Sequence, residues 1–299
     1  MSILVVGSVA FDSVETPHGK VEKALGGSAI FFSSAASLFT KVNAVGVVGD
    51  DYDFSKIDFL RKRGVDLDGV LQIPGETFSW KGVYGEDPNQ RETVYTRLGV
   101  FADFKPRLPE KYLDSQFVFL ANIDPVLQLQ VLAQVKHPRL IVLDTMNFWI
   151  QGKLDSLLQA LAKTDVLIVN DSEARLLTGF SDLFKAARRL LEMGPRYLVI
   201  KKGEHGAILL SPGDIFFAAI FPVEKVVDPT GAGDTFAGGF LGYIGGVGKT
   251  DWETMKRGVI YGTAAASFAV EDFSVDRLKK IARNDIEKRV EALRAMTSF

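Results

Sequence analysis

Short apolar segments alternate with helical patterns along most of this chain. The apolar segments have the length of strands that are buried on both faces, and they cover residues 3–9, 42–48, 117–121, 140–144, 166–170 and 197–201. Between them, apolar residues recur at helical spacing over residues 28–39, 53–63, 126–135, 154–162 and 183–193. This alternation predicts an α/β fold in which helices flank a doubly wound, mostly parallel sheet. We expect residues 1–299 to form a single domain of this kind.

One region interrupts this alternation with two extended segments. Residues 77–84 and 91–98 have strand patterns, and a turn rich in glycine, proline and asparagine joins them. They predict a β-hairpin, which either extends the main sheet or belongs to a second, smaller one. A two-stranded hairpin is marginally stable alone, and it would leave aromatic surface exposed at Phe78, Trp80 and Tyr84. We therefore favour a hairpin that packs over a site.

The composition excludes several classes of protein. Charged residues make up 24% of the chain, the net charge is −2 and no block of like charge occurs, so we expect neither a nucleic-acid nor a membrane surface. The chain has no cysteine, which excludes disulfides and thiolate metal sites, and its three histidines lack ligand spacing. Residues 2–9 are apolar but lack a basic leader, so they predict a first strand rather than a signal peptide. We expect a cytoplasmic protein.

The most specific motif lies in residues 226–240, where an extended apolar segment turns through small residues into a helix. The turn Gly231-Ala232-Gly233 directs backbone N–H groups and the positive end of a helix dipole at one point, which favours an anion such as phosphate. Asp234 follows in the first helical turn, where it could accept a proton from an attacking hydroxyl. An aspartate at this place can also serve only as a helix cap. The small residues before it favour the base, because they let a phosphate approach the backbone.

The C-terminal signature of the ribokinase-like (PfkB-type) carbohydrate kinases resembles residues 228–236, DPTGAGDTF, at every position. The resemblance extends over essentially the whole chain. It implies an ATP-dependent kinase that transfers the γ-phosphate of ATP to a hydroxyl of a small sugar or polyol. It further implies that Asp234 is the catalytic base, that residues 231–233 stabilise the transferred phosphate and that Thr230 contacts the nucleotide. The resemblance also implies Mg²⁺ as a cofactor. Some relatives are activated by a monovalent cation that binds near this signature, so such a cation is a further candidate.

A second match to the family lies near the N-terminus. Gly26 and Gly27 precede a predicted helix, as a Gly-Gly pair does in the sugar site of the family, and Asp12 occupies the place of an acidic residue that holds sugar hydroxyls. The resemblance thus implies that Asp12, Gly26 and Gly27 bind the acceptor. Phe31 stands where the family commonly has asparagine, which implies a modified acceptor pocket. Taken alone, Asp12 would be an ordinary loop residue.

Asn170 and Glu173 match the Asn-x-x-Glu motif of the family, which organises magnesium and the nucleotide phosphates through water. Because Mg²⁺ keeps several waters, few direct protein ligands are expected, and Glu173 would act through water. Alternatively, Glu173 simply belongs to the first turn of a helix that begins just before it. Asp144 and Asn147 resemble a short Asp-x-x-Asn element that relatives place facing the active cleft. This match is weaker, because Trp149 stands where the family often has an arginine.

The segment after the predicted strand 197–201 resembles a turn that relatives place near the ATP phosphates. Gly203 and Gly206 match this turn, and Lys202 replaces a smaller residue. Lys202 either faces a phosphate of the nucleotide or is solvated.

The family's small β-sheet lid coincides in position with the predicted hairpin. The resemblance implies that about residues 12–20 and 72–100 form a lid over the acceptor, and that this lid can join two subunits in a homodimer. Closure of such a lid would exclude water from the reaction.

The identity of the acceptor stays open at this point. A sugar is the first expectation, a cyclitol or a sugar acid is compatible with the modified pocket, and a nucleoside would need its base to stack on Phe78 or Trp80. A sugar phosphate would need additional cations, for which Arg91 and Arg97 are candidates. A non-catalytic sugar-binding regulator on the same scaffold is a further alternative, although such a protein would have no need of Asp234.

Overall fold

The computed structural model describes residues 1–298, which form two β-sheets and the helices around them. The strands are β1 (Ser2–Val6), β2 (Ala10–Thr16), β3 (Gly19–Gly26), β4 (Lys41–Val48), β5 (Val65–Gln72), β6 (Ser79–Tyr84), β7 (Arg91–Arg97), β8 (Phe117–Leu120), β9 (Leu140–Asp144), β10 (Val166–Asn170), β11 (Tyr197–Lys201), β12 (Ala207–Leu210) and β13 (Ile215–Ala218). The α-helices are α1 (Ser28–Ala36), α2 (Asp58–Lys62), α3 (Pro125–Leu132), α4 (Asn147–Gly152), α5 (Leu154–Leu161), α6 (Asp171–Thr178), α7 (Leu183–Leu191), α8 (Ala232–Val247), α9 (Trp252–Ala269), α10 (Asp276–Lys280) and α11 (Arg283–Thr297).

The larger sheet has nine strands in the order β13-β12-β11-β10-β9-β8-β1-β4-β5. The strands from β11 to β5 in this order are parallel, whereas β12 and β13 are antiparallel at one edge. Strand β1 lies inside the sheet, and its Val5 is in register with Ala44 of β4 and with Phe119 of β8. The predicted doubly wound, mostly parallel sheet is therefore confirmed, with its switch point between β1 and β8.

Alternate residues of β1 face two separate apolar cores. Ile3 and Val5 belong to the core that includes α1, α8 and α9, whereas Leu4 and Val6 belong to the core that includes α3, α5, α6 and α7. All four side chains are fully buried, as expected for a parallel strand that is covered on both faces. Each such burial contributes about 1.5–3 kcal/mol. The strands are thus held firmly, and their carboxyl ends share one edge of the sheet.

Helix α8 packs between α1 and α9 through glycines. A Cβ atom at Gly238 would clash with the carbonyl oxygen of Phe32 in α1. A Cβ atom at Gly239 would lie 2.7 Å from the carbonyl oxygen of Tyr261 in α9, which is also closer than real contacts allow. Backbone therefore approaches backbone on both sides of α8, and no larger side chain fits there without movement of a helix.

The smaller sheet has four strands in the order β3-β2-β6-β7. Strands β2 and β3 are antiparallel, as are β6 and β7, whereas β2 and β6 are parallel. The predicted hairpin is present as β6 and β7, and it belongs to this second sheet. The predicted lid segments, residues 12–20 and 72–100, differ from the limits of the sheet, because β2 and β3 span residues 10–26 and Gln72 ends β5 of the larger sheet.

Two further observations concern the helices. The helix predicted over residues 53–63 is instead a 3₁₀ turn, Phe54–Ile57, followed by the short α2. The side chain of Asp53 accepts a hydrogen bond from the N–H of Ser55 at 2.9 Å and so begins the 3₁₀ turn. Among the helices of residues 1–298, none combines the length and the apolar character that a membrane span requires.

Candidate active site

A cavity of about 450 Å³ lies at the carboxyl ends of four parallel strands. Strands β9, β10 and β11 end in Asp144, Asn170 and Lys201, Asn122 follows β8, and all four residues line the cavity. Because these strands are parallel neighbours, their last residues lie side by side at one edge of the sheet. This edge is next to the switch point between β1 and β8, which is where open α/β sheets bind ligands.

The cavity has a charged part and an apolar part. The charged part contains Asp144, Glu173, Asp234, Lys201 and Arg91, and a fourth carboxylate, that of Glu204, lines the cavity beside Asn89. The apolar part is formed by residues of the segment between β13 and α8 and by residues at the C-terminal end of α9, namely Ile220, Phe221, Val223, Val226, Ala266 and, directly after α9, Val270. A ligand with an apolar ring at one end and negative charge at the other would match this division.

The turn before α8 holds backbone N–H groups that have no partner. Asp228 stabilises this turn, because its carboxylate accepts a hydrogen bond from the N–H of Thr230 at 2.8 Å. Gly231 adopts a φ of 74° at the N-cap of α8, and no side chain caps this helix. Within residues 1–298, nothing accepts a hydrogen bond from the N–H groups of Gly233 and Asp234. These groups and the helix dipole therefore remain available to an anion.

Ala232 is engaged within the turn itself. Its N–H donates a hydrogen bond to the carbonyl oxygen of Pro229 at 3.2 Å. Of the predicted set of Gly231, Ala232 and Gly233, only the N–H of Ala232 is engaged within residues 1–298, and those of Gly231 and Gly233 have no acceptor. Contact of that set with a phosphate stays a prediction.

Phe31 lies beneath the turn rather than in the cavity. Its side chain is 2% exposed, and a Cβ atom at Gly231 would clash with its ring. Phe31 is not among the described residues that line the cavity. Its predicted contact with the acceptor stays a prediction, and its observed contact is with the turn that precedes Asp234.

The carboxylate of Asp234 has one oxygen, Oδ1, that is buried and finds no hydrogen-bond partner within residues 1–298. Burial, followed by the charge of Asp144, raises the pKa of Asp234 to about 7 against the opposing charge of Lys201. An unpaired buried oxygen costs free energy of folding, and such groups cluster at functional sites. A carboxylate with a pKa near neutrality suits a general base.

Lys201, rather than the predicted Lys202, reaches the charged part of the cavity. Its Nζ lies 3.5 Å from Oδ2 of Asp144, and a Cβ atom at Gly233 would lie 2.9 Å from Nζ. Burial lowers the pKa of Lys201, but the charges of Asp144 and Glu173 outweigh it, so the pKa is raised overall. Lys202 is not among the described residues that line the cavity, because neighbouring residues at the end of a strand point in opposite directions.

Asn170 and Glu173 line the cavity and also begin α6 as a capping box. Oδ1 of Asn170 accepts a hydrogen bond from the N–H of Glu173, and Oε2 of Glu173 accepts one from the N–H of Asn170, both at 2.7 Å. The capping alternative is thus present, and it still leaves Glu173 in the cavity. Burial raises the pKa of Glu173 to about 7, and Asp144 adds to this rise whereas Lys201 opposes it.

The charged part offers the oxygen ligands that Mg²⁺ prefers, from Asp144, Glu173 and Asp234. Within residues 1–298, however, no three acidic or histidine side chains converge closely enough to hold a metal ion by themselves. The donor set therefore fits an ion that keeps most of its water and binds phosphate at the same time. The water-mediated role of Glu173 is compatible with this fit and stays a prediction.

Asp12 and Gly26 form a compact pair at the start of the smaller sheet. The carboxylate of Asp12 is 7% exposed and packs against Gly26, where a Cβ atom would clash with it. Burial raises the pKa of Asp12 to about 7, and the charge of Asp228 adds to this rise. Asp12 does not line the cavity, but its charge raises the pKa of Asp234, so the two carboxylates interact electrostatically. Gly27 follows at the N-cap of α1.

The turn between β6 and β7 reaches the opposite wall of the cavity. Asn89 in this turn donates a hydrogen bond from Nδ2 to Oε2 of Glu204 at 2.7 Å. The Tyr84 hydroxyl accepts a hydrogen bond from Oγ1 of Thr230 at 3.2 Å. Arg91, at the start of β7, lines the cavity. The smaller sheet therefore contacts both the loop after β11 and the turn before α8. Gly203 and Gly206 of that loop also line the cavity.

The aromatic residues considered for a stacked base are engaged elsewhere. The ring of Phe78 packs against Phe101, with centroids 5.7 Å apart, and the guanidinium of Arg91 lies 5.6 Å from the ring of Trp80. Among the described residues, Arg91 lines the cavity whereas Phe78, Trp80 and Arg97 do not. The sequence therefore identified one of the two candidate arginines at the site and neither candidate aromatic residue.

The family model described as pfkB family carbohydrate kinase matches residues 2–280. The chain belongs to the PfkB family. The resemblance found in the sequence is thereby confirmed, and the chain is a phosphotransferase that acts on a hydroxyl group. The ribokinase-like fold is confirmed as well. The nucleoside kinase of Methanocaldococcus jannaschii, a member of the ribokinase family, superimposes with a TM-score of 0.77, which covers 97% of this chain and 98% of that structure at 22% identity.

Relatives of this PfkB-family chain are named for different acceptors. A cytidine kinase of Thermococcus kodakarensis is 32% identical over 254 residues, which cover 82% of this chain and 90% of the relative. A 2-dehydro-3-deoxygluconokinase of Thermoproteus tenax is 27% identical over 266 residues, which cover 76% of this chain and 75% of the relative. The family membership therefore leaves the acceptor open between nucleosides and sugar derivatives.

Proposed function

We propose that this PfkB-family kinase transfers the γ-phosphate of ATP, in the presence of Mg²⁺, to a hydroxyl group of a small sugar or polyol. The proposal rests above all on the unpaired oxygen of Asp234, which belongs to the same helical turn as two free backbone N–H groups. A base beside an anion site is what phosphoryl transfer to a hydroxyl requires.

The residues of the charged part have distinct tasks in this reaction. Asp234 accepts the proton of the acceptor hydroxyl while the hydroxyl oxygen bonds to the γ-phosphorus, the bond from that phosphorus to the β,γ-bridging oxygen breaks, and ADP leaves. The N–H groups of Gly233 and Asp234, with the dipole of α8, stabilise charge on the transferred group. A bound Mg²⁺ would supply positive charge to the phosphates, and Glu173 would hold it through water.

The division of the cavity supports a nucleotide as the phosphate donor. The apolar part, which includes Val223, Val226 and Ala266, suits the base of ATP. The charged part lies at the start of α8, so a triphosphate would extend from the apolar part toward Asp234. Gly203 and Thr230 also line the cavity, which supports their proposed place beside the nucleotide.

The acceptor is proposed as a sugar or polyol because the resemblance implies that Asp12 holds sugar hydroxyls, and Asp12 interacts electrostatically with Asp234 although it lies outside the cavity lining. The relative that acts on a sugar acid supports this choice. A nucleoside is the second candidate, and the cytidine kinase of Thermococcus kodakarensis favours it. Since Phe78 and Trp80 are engaged elsewhere, a nucleobase would need another surface.

The proposal is tested by measuring ADP release from Mg-ATP across sugars, sugar acids, polyols and nucleosides. The matched control is Asp234→Asn, which keeps the size of the side chain and removes the base. We expect ADP release above background with a sugar, sugar acid or polyol, and none with the control. If only nucleosides gave turnover, the kinase proposal would stand and the proposed acceptor would change from a sugar or polyol to a nucleoside. Binding of a sugar without any turnover would overturn the kinase proposal in favour of a sugar-binding regulator.

Four sequence-based expectations stay predictions beside this proposal. They are the single-domain organisation of residues 1–299, a homodimer formed through the smaller sheet, a cytoplasmic location and activation by a monovalent cation.

A further inference from the structure

We infer that Lys201 binds the terminal phosphate of the nucleotide and accompanies it during transfer, and that the adjacent Lys202 takes no part. This inference rests on the proposed function and adds a catalytic residue to it. It concerns the lysine that ends β11, a position at which the sequence singled out only its neighbour.

The position of the ammonium group supports the inference first. Lys201 is the last residue of β11 and pairs in register with Asn170 of β10 and Ala207 of β12, so its backbone is fixed within the sheet. Its Nζ lies beside Gly233, since a Cβ atom there would be 2.9 Å away. Gly233 carries one of the free N–H groups of α8. The ammonium and the backbone donors therefore border the same place in the cavity.

The weak pairing of Lys201 supports it further. Within residues 1–298 its one ion pair is with Asp144, at 3.5 Å, whereas charge-assisted hydrogen bonds of this kind are typically about 2.7–2.9 Å long. An ammonium has three N–H donors, so this contact leaves donors for another oxygen. A lysine that served only to neutralise Asp144 would be expected to hold it more closely.

The charges around Lys201 explain why an anionic ligand needs it. Asp144, Glu173 and Asp234 surround the place that a triphosphate would enter, and their negative charge opposes a phosphate. Lys201 and Arg91 are the cations among the described lining residues. Arg91 belongs to the smaller sheet and is exposed, whereas the side chain of Lys201 is 19% exposed. Lys201 is thus the cation that the fixed part of the protein provides, and a compact ammonium is a common ligand of phosphate.

The test compares Lys201→Met with the matched control Lys202→Met, because the two lysines are neighbours and the substitution is the same. Binding of ATP and of AMP to each protein is measured by calorimetry with Mg²⁺ present. We expect Lys201→Met to weaken ATP binding by about 10- to 100-fold, as loss of a hydrogen bond to a charged group does, and to leave AMP binding unchanged. Lys202→Met should change neither. Equal weakening of ATP and AMP would overturn the inference in favour of a structural role.

A second measurement uses the unaltered protein, so it does not depend on the folding of a variant. The rates at which Lys201 and Lys202 react with acetic anhydride are followed by mass spectrometry without nucleotide, with AMP and with Mg-ATP. We expect Mg-ATP to slow the reaction of Lys201 more than AMP does, and to leave Lys202 unaffected. Equal rates for Lys201 with the two nucleotides would overturn the inference.

Failure of the inference is distinguishable from failure of the proposed function. If the unaltered protein does not bind ATP at all, the proposed function fails. If it binds ATP more tightly than AMP and Lys201→Met keeps the same preference, the proposed function stands and only the role of Lys201 is lost.

Discussion

Three carboxyl groups at the cavity and its margin have the same unusual property. The pKa values of Asp12, Glu173 and Asp234 are each raised to about 7, and burial is the largest cause in every case. At neutral pH each group is therefore divided between its charged and neutral forms. A cluster of acids of this kind is typical of sites where protons are transferred.

The pH dependence of turnover should follow from the base. Since Asp234 must be ionised to accept a proton, and burial raises its pKa, kcat/KM should rise with pH and level off above about 7. Asp144 and Asp12 raise this pKa whereas Lys201 and Arg91 lower it, so the observed value belongs to the group as a whole. Initial rates from about pH 5 to about pH 9 measure the profile. A flat profile over this range would exclude Asp234 as the base.

The turn before α8 should not accept a side chain at Gly231. The φ of 74° there disfavours other residues, and a Cβ atom would displace the ring of Phe31. We expect Gly231→Ala to lower the free energy of unfolding by about 1–3 kcal/mol and to reduce kcat by displacing Asp234. The matched control is Gly152→Ala, where a Cβ atom would meet no atom within 4 Å. Denaturant unfolding and initial rates compare the two variants, and equal behaviour would contradict the prediction.

The sequence indicates which residues lie at the cavity where a motif is local, but it does not show the direction in which a side chain points. Asp234 lies within a contiguous signature, which predicted its place at the cavity, and its role as the base stays a proposal. Lys201 and Lys202 cannot be distinguished by such a pattern, because their difference is the direction in which each side chain leaves the end of β11. The sequence did not indicate the contact between Asn89 and Glu204, because the two residues are far apart along the chain and are brought together by the fold.

At the scale of elements, the turn between β6 and β7 is joined to the loop after β11 by the hydrogen bond from Asn89 to Glu204. We expect Asn89→Ala, which removes the hydrogen bond to Glu204, to speed amide hydrogen exchange in residues 85–90 and to raise KM. Stability should change by less than about 0.5 kcal/mol, because the bond is exposed. The control is Gln90→Ala, whose side chain bonds Asp87 within the turn at 2.8 Å. If both variants exchange alike, the bridge to Glu204 does not fasten the turn.

The elements themselves were predicted to different degrees. The buried parallel strands such as β9, β10 and β11 were predicted with their observed bounds, because a strand covered on both faces is a continuous apolar run. Strands β2 and β3 were expected only through the resemblance, as a lid segment of about residues 12–20, and β3 extends beyond it to Gly26. Strand β3 is largely exposed and lacks a continuous apolar run. Strand β13 was missed for the same reason, and its Ile215 and Phe217 are exposed. The sequence thus predicted the sheet that carries the cavity better than the sheet that covers it.

At the scale of the whole molecule, the raised carboxyl pKa values should lower stability at high pH. Their folded-state values of about 7 exceed the usual unfolded values of about 4. The native state therefore binds more protons than the unfolded state between these limits, and the free energy of unfolding falls as pH rises through them.

Asp234→Asn removes one of these groups and provides the test. Relative to the unaltered protein, the variant should gain thermal stability at about pH 8, by a few degrees for each kcal/mol, and gain less at about pH 5. The control is Asp171→Asn, because Asp171 also lies in the first turn of a helix but its side chain is 41% exposed. Melting temperatures at the two pH values measure the effect. A pH-independent difference for Asp234→Asn would show that its carboxyl is not perturbed.

The glycines that bring α8 into contact with α1 and α9 have a consequence for how this enzyme can diversify. The distances of α8, which carries Asp234, from α1 and α9 are set by contacts between main-chain atoms. We therefore expect substitutions that repack neighbouring side chains to leave the position of Asp234 unchanged. The smaller sheet and its turn, by contrast, are joined to the cavity wall by side-chain hydrogen bonds such as those between Asn89 and Glu204 and between Tyr84 and Thr230. We therefore expect substitutions in that sheet to alter the choice of acceptor more readily than they alter the position of Asp234.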